Sequence, residues 1–169
     1  MHGRAWRVGI RALVVVVPCL MTVASLVKVT SRREWRQQQE FLIAVEVLYD
    51  LTTRAPDPHD RRLVRDSYCV FVSAGHTRPS DPPAAILAAL RSRVPRVHPA
   101  SECDSWDIRS SGEAAARIGV SSFQWKADDF VRVEGWRTIG ELAGGGWIYT
   151  LSLTADGWKV DTVRDDWIS

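Results

Sequence analysis

Apolar and polar positions follow a helical repeat over residues 34–53, which read EWRQQQEFLIAVEVLYDLTT. Residues on one face of a helix recur at intervals of three and four positions. Apolar residues at this spacing form one stripe, with two further apolar residues beside it. The stripe is Trp35, Leu42, Val45 and Tyr49, and the flank is Phe41 and Leu48. The spacing predicts an amphipathic helix that ends before Pro56 and Pro58.

Two further segments complete the first half of the chain. Residues 67–75, SYCVFVSAG, form a short apolar run that predicts a strand. Residues 82–93, PPAAILAALRSR, carry an apolar stripe at helical spacing and follow Asp81, a residue type that favours the N-cap position. Pro82 and Pro83 fit the first turn of this second helix. A short strand is expected near residues 106–108.

From residue 118 onward the pattern changes to that of strands. Four segments follow one another, at residues 118–126, 128–142, 146–154 and 157–168. Between the last two, Asp156 and Gly157 have the residue types of a two-residue type I′ turn. That turn puts Leu153 opposite Val160. The predicted buried side of the third segment is Trp147, Tyr149, Leu151 and Leu153.

Three consecutive glycines, Gly144, Gly145 and Gly146, stand at the start of the third segment. A glycine loop that binds phosphate follows a strand, opens a helix and carries a G-K-[ST] or G-x-G-x-x-G pattern. Here a strand follows the glycines, and neither pattern is present. We therefore interpret them as a turn that reverses the preceding strand, where glycine reaches positive φ without strain.

The first 29 residues predict an export leader. Arg4, Arg7 and Arg11 precede an uncharged apolar run over residues 12–27, which is the layout of a secretory signal. The run of 16 residues is long for a signal core and just short of the about 17–25 that a transmembrane helix needs. A cleaved signal peptide and an uncleaved membrane anchor therefore both stay open. We expect residues 30–169 to form a single extracytoplasmic domain, membrane-anchored in one case and periplasmic or secreted in the other.

Removal of the leader changes the charge of the chain. All 20 Asp and Glu lie beyond residue 29, whereas four of the 22 Lys and Arg lie before it, so the domain has a net charge of −2. A nucleic-acid-binding domain presents a basic footprint to the phosphates, and this domain has no net one. We therefore expect no nucleic-acid partner.

Beyond the leader the domain contains two cysteines, Cys69 and Cys103. An even pair in an exported chain favours a disulfide, because compartments outside the cytoplasm are oxidising. The alternative is a pair of buried free thiols, since the sequence does not give the distance between the two Cα atoms.

No motif in the sequence specifies a reaction, a metal or a cofactor, and we predict no catalytic residue. Four residues of metal-ligating types lie close together: His98, Glu102, Cys103 and Asp104. They lack the paired spacing of C-x-x-C or H-E-x-x-H zinc sites. A nucleophilic Cys69 with His76 or His98 is a formal alternative, although a cysteine inside an apolar strand packs as a small hydrophobe.

Tryptophan recurs at 11-residue intervals through the β region, at Trp125, Trp136, Trp147 and Trp158. Successive strands of similar length give the same spacing, which favours aromatics in the core or on a sheet face. The same four residues are the candidates for a surface that binds a ligand or a partner.

The order of the elements resembles that of the nuclear-transport-factor-like and cystatin-like rolls. The last hairpin carries the specific part of the resemblance, in Tyr149, Leu151, Gly157, Trp158 and Val160. The resemblance implies an α+β fold in which two helices pack on a curved, mainly antiparallel sheet of about five strands. Such families include enzymes and non-catalytic modules. The Asp and Tyr set of a steroid-isomerase-like member is not matched in this sequence, so no catalytic residue is carried over.

Three functional hypotheses follow. The first is a non-enzymatic module of the cell envelope that binds a protein partner or a small apolar ligand in the concavity of the sheet. The second is a small hydrolase- or isomerase-type enzyme, with an Asp or a histidine such as His59, His76 or His98 as general base. The third is a structural subunit of an envelope complex. In each case the N-terminal segment supplies the contact with the membrane.

Overall fold

The computed structural model describes residues 31–54, 65–73, 80–140 and 143–168, which contain two α-helices and eight strands. Helix α1 covers residues 31–53, and helix α2 is Ala84–Arg91. The strands are β1 Ser67–Val72, β2 Val97–Pro99, β3 Cys103–Asp104, β4 Asp107–Ile108, β5 Ala115–Ala127, β6 Phe130–Gly140, β7 Ala143–Thr154 and β8 Gly157–Ile168. The predicted α+β class is therefore confirmed.

The chain divides into two compact units, Met1–Gln39 and Glu40–Ser169. In the first unit the structure describes residues 31–39, which are helical. The second unit holds the remainder of α1, together with α2 and the eight strands. No helix within the described residues is both long enough and apolar enough to span a membrane. The predicted leader (residues 1–29), His59 and His76 lie outside the described residues.

Six of the described strands form one mixed sheet in the order β2-β1-β5-β6-β7-β8, and β3 and β4 form a separate two-stranded sheet. Strand β1 pairs in parallel with β2 and β5, whereas β5 to β8 follow one another as antiparallel neighbours. Three of the five pairings are therefore antiparallel, so the sheet is mixed with an antiparallel majority, and it has six strands where about five were predicted. Strand β2 has three residues and ends at a proline, so the sequence gives no strand signal there.

Both helices pack against one side of the mixed sheet, which we call the helix face. Alternate strand residues point to this side and form one continuous core with the helices. The buried helix residues are Ile43, Ala44, Val45, Val47, Leu48 and Leu51 from α1 and Ile86, Leu87 and Leu90 from α2. The predicted stripe of α1 is wrong at Leu42, which is 44% exposed. Because residues 41–48 are apolar on every side except Glu46, their spacing alone does not select the buried face.

The start of α2 differs from its prediction. The helix begins at Ala84 with Pro83 at the N-cap, and no side chain caps it. The carboxylate of Asp81 instead accepts the backbone N–H of Ser101 at 2.7 Å. Asp81 therefore fixes the loop between β2 and β3 rather than the helix end.

The opposite side of the sheet, which we call the open face, is covered near β1 by the β3–β4 hairpin. Cys69 of β1 and Cys103 of β3 form the predicted disulfide, and their Cα atoms lie 6.3 Å apart. Phe71, Ile108 and Ala115 complete a small second core beneath this hairpin. The disulfide and these contacts hold the hairpin against one end of the open face.

The β7–β8 hairpin forms as predicted but with a different register. Thr154 pairs with Gly157, so Leu153 lies opposite Trp158 rather than Val160. Two contacts of the Thr154 hydroxyl close the turn early, since it accepts the N–H of Asp156 at 3.3 Å and donates to the Gly157 carbonyl at 2.8 Å. On the predicted buried side, Tyr149 and Leu151 are fully buried, Trp147 is half-buried and Leu153 is 37% exposed.

The three glycines do not form the turn that the sequence suggested. Gly144, Gly145 and Gly146 lie inside β7, where they pair with Thr138, Arg137 and Trp136 of β6. None of the three has a positive φ. The space beside the strand is therefore the reason for glycine: an added Cβ would meet Thr138 at Gly144, the ring of Trp147 at Gly145 and the ring of Trp167 at Gly146.

Candidate functional site

One row of residues crosses five strands of the open face. Strand pairing aligns Phe71 of β1, Gly119 of β5, Trp136 of β6, Gly146 of β7 and Trp167 of β8. Paired residues in a sheet point to the same side. The row therefore alternates aromatic side chains with glycines across the sheet.

The indole of each tryptophan in this row occupies the space above the glycine of the neighbouring strand. A Cβ atom added to Gly119 would lie 2.5 Å from Cε2 and 2.8 Å from Nε1 of Trp136. A Cβ atom added to Gly146 would lie 2.6 Å from Cδ1 and 2.7 Å from Cε2 of Trp167. Atoms cannot approach so closely, so the two glycines are needed because the rings fill the space of a side chain. We call the two indoles and the glycines beneath them the indole platform.

The platform is walled at one end and open at the other. Trp136 is half-buried, and its ring centroid lies 5.6 Å from that of Phe71 under the β3–β4 hairpin. Arg117 completes this wall, with its guanidinium 4.6 Å from the Phe71 ring centroid and 5.6 Å from that of Trp106. Trp167 lies at the opposite end and is 42% exposed. The platform therefore presents aromatic surface to solvent at its Trp167 end.

Two polar rows lie beside the platform on the same face. The nearer row is Ser121, Glu134, Ile148 and Arg164, and the next is Gln124, Arg132, Thr150 and Thr162. Six residues line a shallow depression between them: Ser122, Gln124, Arg132, Val133, Glu134 and Ile148. Hydrogen-bonding side chains of several types thus border the aromatic surface.

The charged residues of these rows differ in how they are paired. Glu134 faces the hydroxyl of Ser121 at 3.5 Å. Arg132 and Arg164 form no ion pair or side-chain hydrogen bond with another residue in the part of the chain that the structure describes. Two guanidinium groups are therefore available to a ligand beside the platform.

The structure does not bring the four predicted tryptophans onto one surface. Trp125, Trp147 and Trp158 pack against the core of the helix face, and Trp136 lies on the open face. Trp125 donates a hydrogen bond to Glu40 at 2.9 Å and meets Trp158 edge to face, with ring centroids 5.7 Å apart. These contacts give Trp125 a packing role between α1 and the sheet.

Trp167 was missed in the sequence because it does not fall on the 11-residue spacing. The signal that was present is the run of glycines in β7. The predicted register, with Leu153 opposite Val160, already puts Trp167 opposite Gly146, and the structure keeps this pair because two register shifts in β8 offset its earlier turn. A glycine run in a strand indicates a close-packed neighbour only once the register is known.

A second group of polar side chains lies on the helix face, at the C-terminal end of α1. Tyr149 donates a hydrogen bond to Asp50 at 2.8 Å, and Arg54 donates to the same carboxylate oxygen at 2.6 and 3.1 Å. Burial, then the hydrogen bond with Asp50, raises the pKa of Tyr149 far above its ordinary value. The phenol therefore remains a hydrogen-bond donor, and Arg54 balances the charge of Asp50.

Arg137 closes the same end of α1 from the sheet. It is 6% exposed, and its Nη1 donates to the carbonyls of Arg54 at 3.0 Å and Leu51 at 3.5 Å. The last carbonyls of a helix lack partners within it and attract a cation. Arg137, Asp50, Arg54 and Tyr149 thus satisfy one another or the helix end, as expected for a structural anchor between α1 and the sheet.

The remaining candidates from the sequence lie at the β2–β3 end. His98 Nδ1 and Glu102 Oε2 are 3.1 Å apart, and the sulfur of Cys103 is part of the disulfide. Within the described ranges, no group of three or more His, Cys, Asp or Glu side chains could hold a metal ion. Because Cys69 is also in the disulfide, its pairing with His98 as a nucleophile does not apply to the oxidised chain.

No protein-family model, curated protein or solved structure matches this chain. The function has to be inferred from the chemistry of its surfaces. Of the two groups described, the platform lies beside two arginines without side-chain partners among the described residues, Arg132 and Arg164, whereas the Asp50–Tyr149 group is satisfied internally.

Proposed function

We propose that this chain is an exported, non-enzymatic binding module whose indole platform binds a ligand with a flat apolar face. The observation that carries the proposal is the row in which Gly119 and Gly146 leave room for two indoles against the sheet. Large exposed aromatics without a partner are unfavourable in water and are characteristic of interaction sites. The sequence thus gives up two side chains in the sheet to produce a flat aromatic surface.

The helix face is a less favourable place for a ligand. The helices fill it with a continuous core in which Ile43, Leu51, Tyr149 and Leu151 are fully buried. The concavity proposed from the roll-like sequence pattern would have to compete with this packing. We therefore assign the ligand to the open face.

Export is supported by two independent features of the chain. The first 29 residues have the layout of a secretory leader, and Cys69 and Cys103 form a disulfide. Disulfides persist in oxidising compartments and are rare in a reducing cytosol. The proposed location is the cell envelope, either anchored through the N-terminal segment or released after its cleavage.

An enzyme that uses Asp50 as a base is the weaker alternative. Asp50 and Tyr149 form an Asp–Tyr pair on the helix face. Oδ2 of Asp50 already accepts hydrogen bonds from Tyr149 and Arg54, so this oxygen is occupied within the protein. We expect no turnover of hydrolase or isomerase substrates by the full chain; turnover that Asp50→Asn abolishes would favour the enzyme.

Nuclear magnetic resonance with a fragment library tests the binding module directly. Each tryptophan gives one indole N–H signal, and single Trp→Phe variants assign them. We expect flat apolar fragments to shift the signals of Trp136 and Trp167, and Trp167→Ala to abolish that binding. Ile168→Ala is the matched control, because Ile168 is the exposed neighbour on the same strand and points to the other face. Fragments that shift only Trp147, beside Arg54, would contradict the proposal.

A further inference from the structure

We infer that the ligand of the indole platform is an acidic glycan, an inference that rests on the proposed function. The polar side chains beside the platform identify the ligand class. The two indoles define where sugar rings would lie, and the two rows beside them define what the rest of the ligand must carry.

The aromatic surface of the platform suits the flat side of a sugar ring. The face of an aromatic ring is the negative part of its quadrupole, so it attracts the polarised C–H bonds on the flat side of a sugar ring. The open side of Trp167 and the half-buried Trp136 offer two such faces in one row. Neighbouring strands lie about 4.8 Å apart, so residues on β6 and β8 are separated by roughly two such steps. The platform can therefore hold adjacent sugar rings.

The polar side chains beside the platform suit the hydroxyl groups of a sugar. A stacked sugar keeps its hydroxyls at the rim of the ring, where they need donors and acceptors. The row next to the platform lies about 7 Å along the strands. It provides a carboxylate in Glu134 and a guanidinium in Arg164, and the following row provides Gln124 and Thr150. A few polar groups around an apolar surface fix the orientation of a ligand.

The charged side chains beside the platform suit an anionic substituent on the sugar. In the platform and its two neighbouring rows the paired ionic side chains are Arg132, Arg164 and Glu134, so the two guanidinium groups are the cations that an anionic ligand would meet there. Neither arginine has a side-chain partner among the described residues. Guanidinium groups bind carboxylates, phosphates and sulfates through two parallel hydrogen bonds. An anionic substituent on the sugar next to the stacked ring would meet Arg164.

Aromatic and cationic side chains on a sheet also suit single-stranded nucleic acid. One feature favours the glycan. The Cys69–Cys103 disulfide is typical of compartments outside the cytoplasm, where glycans are abundant and nucleic acids are not.

Isothermal titration calorimetry of the full chain tests this inference with four probes. Two are acidic, a galacturonic acid hexamer and a heparin hexasaccharide; the others are neutral cellohexaose and a six-nucleotide oligothymidylate. We expect at least one acidic oligosaccharide to bind, with affinity at least tenfold above both other probes. The variant Trp167→Ala should weaken that binding at least tenfold, and Ile168→Ala should leave it within twofold.

The acidic part of the ligand is tested separately through Arg164. Arg164→Ala should remove most of the preference for acidic over neutral oligosaccharide and lower the dependence of binding on salt. Arg164→Lys should keep part of both. Arg33→Ala, which removes an exposed cation of α1, is the charge-matched control and should change neither.

The outcomes separate the inference from the proposed function. Tighter binding of oligothymidylate, equal binding of acidic and neutral sugars, or no binding of either acidic probe would overturn the acidic-glycan inference. If fragments still shift the Trp136 and Trp167 indole signals in that case, the binding module stands with a different ligand. If those signals respond to nothing, the proposed function fails as well.

Discussion

Glycine residues in the central strands are present because neighbouring rings occupy the space that a side chain would fill. Gly119→Ala should destabilise the fold by about 1–3 kcal/mol, because Phe71 and the β3–β4 hairpin prevent Trp136 from moving aside. Gly146→Ala should cost less, since Trp167 is 42% exposed and its ring can turn outward. Urea unfolding of the two variants measures the difference.

Gly140→Ala provides the control for both glycine variants. An added Cβ at Gly140 meets no atom within 4 Å, and its φ is not positive. Replacing such a glycine by alanine reduces the entropy of the unfolded chain, so the free energy of unfolding should be unchanged or slightly higher. A loss at Gly140 as large as that at Gly119 would show that general strand effects, and not the rings, determine the result.

A single buried cation, Arg137, joins the sheet to the end of α1. Arg137→Met keeps much of the side-chain volume but leaves the carbonyls of Leu51 and Arg54 without a donor. We expect a loss of about 2–3 kcal/mol in the free energy of unfolding. Arg132→Met, on the same strand but on the open face, should stay within about 0.5 kcal/mol. Equal losses in a urea titration would contradict the anchoring role.

The raised pKa of Tyr149 makes the stability of the folded chain depend on pH in the alkaline range. Its folded pKa is raised by burial and by Asp50, so the folded phenol keeps its proton after the unfolded one has lost it near pH 10. The unfolded state then binds fewer protons, and stability falls as the pH rises above about 10. Tyr149→Phe should lower stability at pH 7 by about 1 kcal/mol and make the alkaline loss less steep.

Thermal unfolding between pH 7 and 11 measures this difference. Tyr68 provides the comparison, because burial also raises its pKa and it donates a hydrogen bond to the Thr52 carbonyl at 3.0 Å. Tyr68→Phe should therefore reduce the alkaline loss as well, and the double variant should reduce it further. Identical pH profiles for Tyr149→Phe and the unaltered chain would show that Tyr149 does not titrate in this range.

The longest elements were predictable, whereas of the shortest strands β4 was expected near residues 106–108 and β2 and β3 were not. Helix α1 and strands β5 to β8 extend over many residues with a sustained period, and the sequence predicts them. Strand β2 has three residues and pairs in parallel with β1, which the local pattern does not indicate. The predicted register of the last hairpin is wrong by two positions at Leu153, because the side chain of Thr154 closes the turn earlier than expected.

The β3–β4 hairpin is the element whose position depends most on one covalent bond. Its two strands have two residues each, too few to be stable alone. Replacing both Cys69 and Cys103 by alanine should lower the free energy of unfolding by about 3 kcal/mol in the chain-entropy model. Hydrogen exchange should increase at residues 103–114 and much less in β6 and β7. Uniform acceleration across the sheet would instead mean that the disulfide holds the whole fold.

The candidate site was predictable only in part, because it depends on register rather than on motif. The 11-residue spacing pointed to four tryptophans, and one of them, Trp136, lies on the platform. Trp167 lies opposite Gly146 both in the predicted register and in the structure, where the two extra residues of β8, Asp161 and Asp166, offset the earlier turn. What hydrophobic periodicity does not reveal is that the indole occupies the space above the glycine.

For the whole molecule, the proposed location makes a prediction about its covalent state in cells. Folding in an oxidising compartment should give protein that carries the Cys69–Cys103 disulfide, whereas cytosolic protein should be reduced. Intact mass of C-terminally tagged protein from fractionated cells, taken with and without reduction, measures this directly. We expect a gain of two hydrogens on reduction, either in a mass that lacks the leader or in a full-length mass from the membrane fraction. Full-length, reduced protein in the cytosol would refute export and with it the argument for a glycan over a nucleic acid at the platform, because that argument depends on the compartment.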